Sequence, residues 1–497
     1  MKDYTNLHNN IKAVLKEFNF YSKESNDHIY LSLFFALKKA IFDRVLKAGT
    51  KLPPTRILAK DLEISRSTVI KTYELLVLEK FLIAIQGSGY FVVNVRHKKN
   101  HIKIQTSLKS GKYPEISKKG KSFGKFINIE NTKKKGIAFR PGLPPLDIFP
   151  INIWKNLTNN YWRTAKASEL TYSNAIGLES LRQNISEYLK IYRNIKCDAS
   201  QIIITSGSLH SLSMIADALI NKNDEVVLEN PIYPNAYTLF KSLEAKIIAA
   251  QIDEQGMIVE NLVCQKPKLL YTTPSNQYPS GVKMSLNRRL EILRWASLHN
   301  AVIIEDDYDH EFSNWEDPIT SIYSLDNEDR TVYLGTFNKL LHPSLRVGYM
   351  IVPDYLNDPI QAIYRQTSRF VPPSTQCILS SFIEKDQLNR HLRNIIEVSQ
   401  ERKSFFLEYF VDHFQEEINI ENYNTGLHFI GRLENKENDL KLSQHFASTG
   451  IVAHPLSSYF FDGKHANGLV MGYSSVNQKI TKQTILKMKQ EYLNYKN

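Results

Sequence analysis

From residue 137 onward the chain repeats one pattern, a short and nearly all-apolar run followed by a longer stretch of helical periodicity. The runs are IIIT at 202–205, EVVLE at 225–229, KLLYTT at 268–273, AVIIEDD at 301–307 and TVYLGT at 331–336. Strands that are apolar on both faces belong to a sheet covered on both faces, and parallel neighbours need a crossover long enough to hold a helix. The pattern therefore predicts an α/β domain on a largely parallel sheet. A chain of 497 residues is also too long for one ordinary core, which predicts two or three domains. No internal repeat runs through it.

The front of the chain reads differently. From His28 to Ala48 the apolar residues Leu31, Phe34, Phe35, Leu37, Ala40, Ile41 and Val45 recur near helical spacing, and Gly49 is the expected stop. LPPTRILAKDLEIS follows, with Pro53 and Pro54 in the first-turn region and Ile57, Leu58 and Leu62 marking a short second helix. A third helix starts after Ser65, an N-cap residue, and runs through STVIKTYELLVLEK. FLIAI and YFVV are then two β-type runs separated by Gln86-Gly87-Ser88-Gly89, the composition of a tight hairpin. Three helices and a hairpin make a winged helix-turn-helix, placed at 28–96.

Charge separates the two ends. Residues 1–95 carry a net +5, residues 96–136 a net +11 and the remaining 361 residues a net −4. A basic front on a mildly acidic body points to a polyanion as the partner of the front. Residues 97–136, rich in Lys, Ser, Gly and Asn without a sustained period, read as a basic flexible linker. It serves either as a tether tracking phosphates or as a solvated spacer. Three cysteines, Cys197, Cys264 and Cys377, lack CxxC spacing and read as free buried thiols. No window approaches the ~18 consecutive apolar residues of a membrane span, and the start lacks the apolar core of a secretion signal, so a cytoplasmic location is expected.

In a helix-turn-helix the second helix of the motif enters the major groove and its N-terminal residues reach base edges or phosphates. Here those residues are Ser65, Arg66, Ser67 and Thr68, with Lys71 one turn on. Arg66 can offer a donor pair to guanine or grip a phosphate, the hydroxyls can reach phosphate oxygens, and Gly87 and Gly89 let the wing approach the duplex. The stretch GTKLPPTRILAKDLEISRSTVIKTYELLVLEKFLIAIQGSGYFV at 49–92 resembles the GntR-family DNA-binding domain. That resemblance implies DNA contacts at Arg56, Ser65, Arg66, Thr68 and the wing at Gly89.

In open α/β sheets ligands bind outside the carboxyl ends of the strands, and several polar residues fall at such ends. Lys339 follows TVYLGTF, with Thr336 and Asn338 before it and Arg346 seven residues after. Asp306 follows AVIIE and Tyr308 lies two residues on, with Asp307 and Asp309 competing for the same roles. ITSGSLH at 204–210 is a strand, a small-residue turn and a helix start, where backbone N–H groups at Gly207 and Ser208 favour a phosphate. Tyr233 in ENPIYP supplies an aromatic face, and Asn276 or Gln277 in TTPSNQYPSG a further donor.

This set matches the needs of pyridoxal 5′-phosphate: a lysine for a Schiff base, a carboxylate for the pyridine nitrogen, a hydroxyl or amide for the phenolic oxygen, a ring to stack on and donors for the phosphate. The acidic run EDDYDHEF also suits a divalent metal, but no second ligand cluster accompanies it, so no metal is expected. Together with FRPGLPPLDIFP at 139–150, LTYSNAIGLESLR at 170–182 and RHLR at 390–393, these segments resemble the aminotransferase-like domain of fold-type I pyridoxal-phosphate proteins. They are most similar to the MocR-type regulators, which join a GntR-like winged helix to that domain. The resemblance implies an aminotransferase-like domain at 137–497, a large α/β part with a mainly parallel sheet and a smaller C-terminal α+β part. It further implies a homodimer in which Tyr172 is lent to the neighbour's phosphate.

The chain departs from that family's pattern in three places. Asn338 stands where a serine is usual, Leu209 and His210 lie where a Gln-Gln pair is usual, and Val470 and Met471 occupy the segment where aminotransferases place an arginine for the substrate carboxylate. The effector is then either not an α-carboxylate amino acid held in the usual way, or it uses another cation such as Arg369. The leading expectation is a regulator that binds a double-stranded DNA operator and senses an amine effector, or pyridoxal phosphate itself, at Lys339, without physiological turnover. An active aminotransferase with an accessory DNA-binding domain is the alternative. A DNA-binding protein whose second domain has lost its cofactor is the third.

Overall fold

The computed structural model describes residues 29–94, 115–124, 138–312, 320–414, 416–421, 426–434, 437–463 and 466–496. The chain divides into two compact units, Met1–Tyr113 and Pro114–Asn497.

The first unit holds α1 (Ile29–Phe42), α2 (Thr55–Leu62), α3 (Arg66–Leu78) and a hairpin of β1 (Leu82–Ile85) and β2 (Gly89–Val92). Leu33, Phe34, Leu37 and Ile41 of α1 pack with Leu58 and Leu62 of α2 and Val69, Tyr73 and Leu76 of α3. Two polar contacts pin α3 in that core: the Tyr73 hydroxyl donates to the Pro53 carbonyl at 3.0 Å, and Thr72 Oγ1 donates to the Tyr30 carbonyl at 3.1 Å. Ser65 caps α3 by accepting from the Thr68 amide at 3.1 Å.

Two local expectations are corrected. α1 ends at Phe42, not near Gly49, because Arg44 takes a left-handed conformation and the Leu46 amide turns back to the Ala40 carbonyl at 3.0 Å. Val45 is consequently exposed, and so is Ile57, which lies on the outer side of α2. The hairpin turns through Gln86–Ser88, with Gly87 and Gly89 both at positive φ, as the glycine spacing implies.

Within the stretch read as a linker, Lys118–Gly124 forms a helix that packs on the helix Pro234–Ser242 of the second unit. Lys118 Nζ lies 3.9 Å from the Glu244 carboxylate, so part of the basic charge is spent on the domain's own surface. Residues 97–114 and 125–136 lie outside the described residues.

The second unit is built on an eight-stranded sheet in the order β3 (Ile202–Thr205), β10 (Gly348–Ile351), β9 (Thr331–Thr336), β8 (Val302–Asp306), β7 (Pro267–Thr272), β4 (Glu225–Asn230), β5 (Lys246–Asp253) and β6 (Gly256–Met257). The run β9-β8-β7-β4-β5 is parallel, and β10 is antiparallel to both β3 and β9. Adjacent residues of one strand feed opposite cores: Ile202 and Ile204 pack on one face, Ile203 on the other. That two-sided burial is why these strands read as unbroken apolar runs. Because β3 runs in the direction of β9, the carboxyl ends of β3, β4, β7, β8 and β9 share one edge.

A second sheet, antiparallel, has the order β11 (Ile418–Glu421), β12 (His428–Leu433), β14 (Gly468–Gly472) and β13 (His454–Pro455). The helices Gln387–Phe414, Asp439–Thr449 and Gln478–Lys496 cover it through Phe406, Phe410, Phe446, Ile485 and Met488. Phe139 joins that core, and its carbonyl accepts from the Gly472 amide at 2.8 Å. The segment 138–142 thus runs from the small sheet toward the edge of the large one. Among the described residues no helix is long and apolar enough to cross a membrane, and the three cysteines are free and half-buried.

Candidate functional site

The shared strand edge gathers most of the chemistry. Lys339 lies three residues past β9, and its Nζ donates to the Gly142 carbonyl at 2.6 Å. Burial lowers its pKa, against the opposing charges of Asp309 and Asp306. Asp306 closes β8 and is 5% exposed. Its Oδ2 accepts from the Tyr271 hydroxyl at 2.8 Å, while Oδ1 is buried without a partner. Burial, reinforced by Asp307, pushes this carboxyl up to about 7. A buried carboxylate with one oxygen unspent is a receptor for a cationic N–H.

Asp307 and Asp309 also keep a buried Oδ1 without a partner, but their other oxygens are engaged by different groups. Asp307 pairs with Arg193 at 2.7 Å and accepts from the Tyr333 hydroxyl at 2.6 Å, a contact network that holds its carboxyl well below the usual range. Asp309 accepts from Asn276 Nδ2 at 3.0 Å, and the Tyr308 hydroxyl donates to the Asn276 carbonyl at 2.9 Å. Gln277 is committed elsewhere: its amide donates to Glu229 at 3.1 Å and to the Pro231 carbonyl at 2.8 Å, and its oxygen accepts from Ser280. Of the two amide candidates, Asn276 lies with Tyr308 and Asp309, and Gln277 belongs to the network that satisfies buried Glu229.

The phosphate candidates meet at the end of β3. Gly207 precedes the helix Ser208–Leu219 with φ 110°, and a Cβ there would sit 3.1 Å from Asn338 Nδ2 and 3.9 Å from an Arg346 nitrogen. Asn338 Oδ1 and His210 Nε2 are buried and unpartnered, and the Thr336 hydroxyl accepts from the Asn338 amide at 3.2 Å. Helix-terminal amides, an arginine and unspent polar atoms around a glycine hollow form an anion cradle. Gly207→Ala places a side chain in that hollow and in a backbone region costing about 1–3 kcal/mol. We expect it to weaken retention of added pyridoxal phosphate, measured by spectral titration, far more than Ser208→Ala.

Tyr233 caps the helix Pro234–Ser242 and meets Tyr278 edge-on, ring centres 6.1 Å apart. Sequence reading missed the wall beyond it. Tyr278 also contacts Tyr308, His428 and Tyr459, its hydroxyl 3.2 Å from that of Tyr459, which in turn lies 3.2 Å from His454 Nδ1. Burial draws His428 and His454 down to about 4, so both are neutral, with Lys339 adding to the first and Arg140 to the second. Tyr271 had a signal, since it lies on the strand adjoining β8. His428 and His454 come from the second sheet and had none. Tyr172 stands apart, 74% exposed, with the Arg369 guanidinium 5.1 Å from its ring centre in a surface groove shared with Asn174 and Arg365. Among the described residues no group of His, Cys, Asp or Glu is arranged to hold a metal ion.

In the first unit, Arg56, Ser65, Arg66 and Ser67 are exposed and Thr68 is half-buried. The Ser65 hydroxyl lies 2.8 Å from that of Ser67 and 2.7 Å from that of Thr68, and Arg66 Nε is 3.4 Å from Thr55 Oγ1. Lys71 is exposed but leans on α1, with Nζ 3.8 Å from the Tyr30 ring centre. Lys51, which the sequence reading did not single out, lies against Gly89 of the wing, its Cε 3.4 Å from where a Cβ would be.

The family model for aminotransferase class I and II matches residues 146–464, and that for bacterial regulatory proteins of the gntR family matches residues 29–92. The probable rhizopine catabolism regulatory protein MocR of Rhizobium meliloti is 30% identical over 471 residues, covering 95% of each chain. The chain belongs to the MocR-type regulators of the GntR family. The pyridoxine biosynthesis transcriptional regulator PdxR of Corynebacterium glutamicum is 27% identical, over 88% of this chain and 90% of its own. An archaeal alanine:glyoxylate aminotransferase shares the fold with TM-score 0.68 at 23% identity, over 76% of this chain and 96% of its own. As a MocR-type protein the chain is a DNA-binding transcription regulator whose aminotransferase-like domain binds pyridoxal 5′-phosphate. The unspent Asp306 oxygen and the glycine hollow fit that cofactor.

Proposed function

We propose that this regulator senses a primary amine, or pyridoxal phosphate itself, at Lys339, and that occupancy of the site alters its hold on a double-stranded DNA operator. The observation that carries the reading is the unspent, buried Asp306 Oδ1 on a carboxylate that feels the charge of Lys339. When bound, pyridoxal phosphate supplies an aldehyde carbon that a lysine and a free amine can contest. Lys339 would anchor that carbon, Asp306 would hold the proton of the ring nitrogen, and Tyr308 and Asn276 would serve the phenolic oxygen. Tyr233 would stack on the ring, while Gly207, Ser208, Thr336, Asn338 and Arg346 would hold the phosphate.

Sustained turnover is disfavoured at β14, where Val470 and Met471 are buried in the segment for which the family resemblance implies a carboxylate arginine. Exposed Tyr172 supports a homodimer in which that ring reaches the partner's phosphate. Its neighbour Arg369, the alternative cation of the sequence reading, shares that surface groove. A ligand can shift an equilibrium only by its differential affinity for two states, so the two domains must be coupled through arrangements that differ at this site.

At the DNA end, Arg56, Ser65, Arg66, Ser67, Thr68 and the wing at Gly89 are the proposed contacts. Replacing Arg66 by alanine should weaken binding to the protein's own promoter by roughly tenfold to a hundredfold while leaving the cofactor spectrum unchanged. A gel-shift series across salt concentrations checks this. Unaltered affinity at every salt would remove α3 from the groove.

A further inference from the structure

With Val470 and Met471 on β14 where the resemblance implies a carboxylate arginine, the cations near Lys339 become candidates for that role. The large arginines of the domain interior are committed. Arg193 pairs with Asp307 at 2.7 Å, Arg289 donates to the Pro274 carbonyl at 2.8 Å, and Arg402 joins the Ser474 carbonyl to Asp147, both at 2.7 Å. Arg140 is not. It is half-buried, its Nε is enclosed without a hydrogen bond, and its side chain has no hydrogen-bond or ion-pair partner among the described residues.

Its position is fixed from both sides. Phe139, one residue before, accepts from the Gly472 amide at 2.8 Å, and a Cβ on Gly472 would strike the Arg140 carbonyl, so the backbones touch. Gly142, two residues after, accepts from Lys339 Nζ at 2.6 Å. Arg140 therefore stands between the β14 segment that lacks the arginine and the lysine that anchors the cofactor. Its charge acts on His454, which pairs in the small sheet with Val470 itself. His428, Tyr278, Tyr459 and His454 contact one another in that order, and the charges of Lys339 and Arg140 act on the first and the last of them.

We propose that Arg140 is the anion-binding arm of the effector site, so that the amine contesting Lys339 carries an acidic group, a carboxylate or a comparable oxyanion. This rests on the reading that Lys339 holds the cofactor. A guanidinium fork matches a carboxylate in two parallel hydrogen bonds, and a partly buried, unpaired guanidinium gains most from such a partner. Arg346, also without a partner among the described residues, belongs to the Gly207 cradle and leaves Arg140 for the effector.

The test uses the full-length protein loaded with pyridoxal phosphate and three probes sharing one amine: L-alanine, 3-aminopropanoate and ethylamine. Dissociation constants are read from the change in the cofactor's absorption and compared per unprotonated amine. At least one acid should bind the wild type more tightly than ethylamine. Arg140→Gln should reduce that preference by roughly tenfold to a hundredfold, and Arg140→Lys should keep part of it. Retention of the cofactor band shows that each variant is folded. If ethylamine binds the wild type as well as both acids, or if Arg140→Gln keeps the preference, the assignment is wrong. If the wild type holds no lysine-linked cofactor at all, the reading of Lys339 fails first, and this inference falls with it.

Discussion

Full-length protein with Lys339→Ala should emerge from dialysis colourless while the wild type stays yellow. In the proposed site pyridoxal phosphate is held by a covalent link to Lys339 as well as by the phosphate cradle and Asp306, and the variant would keep only the non-covalent contacts. Folding should survive. Lys339 is a half-buried cation whose hydrogen bond among the described residues is to the Gly142 carbonyl, so truncation removes a partly desolvated charge along with one bond. Borohydride treatment, which reduces the C=N link irreversibly, should fix the cofactor to the peptide containing Lys339 in the wild type and to nothing in the variant. Label on another lysine would displace the site.

The second large effect concerns Asp306 and has a definite sign in pH. Its folded-state pKa of about 7 lies above the ordinary value of 3.8. A carboxyl raised on folding contributes stability that is full below its unfolded value and is lost as pH rises through the folded one. For the cofactor-free protein that loss falls mostly between pH 4 and 7. Asp306→Asn keeps the shape and cannot ionise. Between pH 5 and pH 8 the cofactor-free wild type should therefore lose on the order of 3 kcal/mol relative to the variant. The other buried acids, Asp309, Glu229, Glu305 and Glu311, are common to both proteins and cancel. Urea midpoints at the two pH values read the difference. Added pyridoxal phosphate should narrow the gap for the wild type, since Asp306 then faces a cation, and should bind the asparagine variant less tightly. Parallel pH profiles for the two cofactor-free proteins would show that the Asp306 carboxyl is not the strained group.

The sequence carried much of this because the relevant signals are local. Ser65 before a helical run, glycines at 87 and 89 between two apolar runs, and polar residues at the ends of strands are each read within a few positions. What escaped was set by contacts distant in sequence. α1 stops at Phe42 because of the turn that buries Leu46, and Gly49 plays no part in it. The choice between Asn276 and Gln277 needed Glu229, buried on another strand. His428 and His454 come from the small sheet and Arg140 from the segment bonded to it, and their types and spacings are ordinary in the sequence.

In the proposed function, chemistry at Lys339 is linked to DNA binding. The direct measurement is the affinity of the full-length protein for its own promoter, with and without pyridoxal phosphate and amine, for the wild type and for Lys339→Ala. The wild type should change affinity by about fivefold or more on one of these additions, and the variant should not respond. Equal affinity of the wild type in every state, or an undiminished response in the variant, would contradict it.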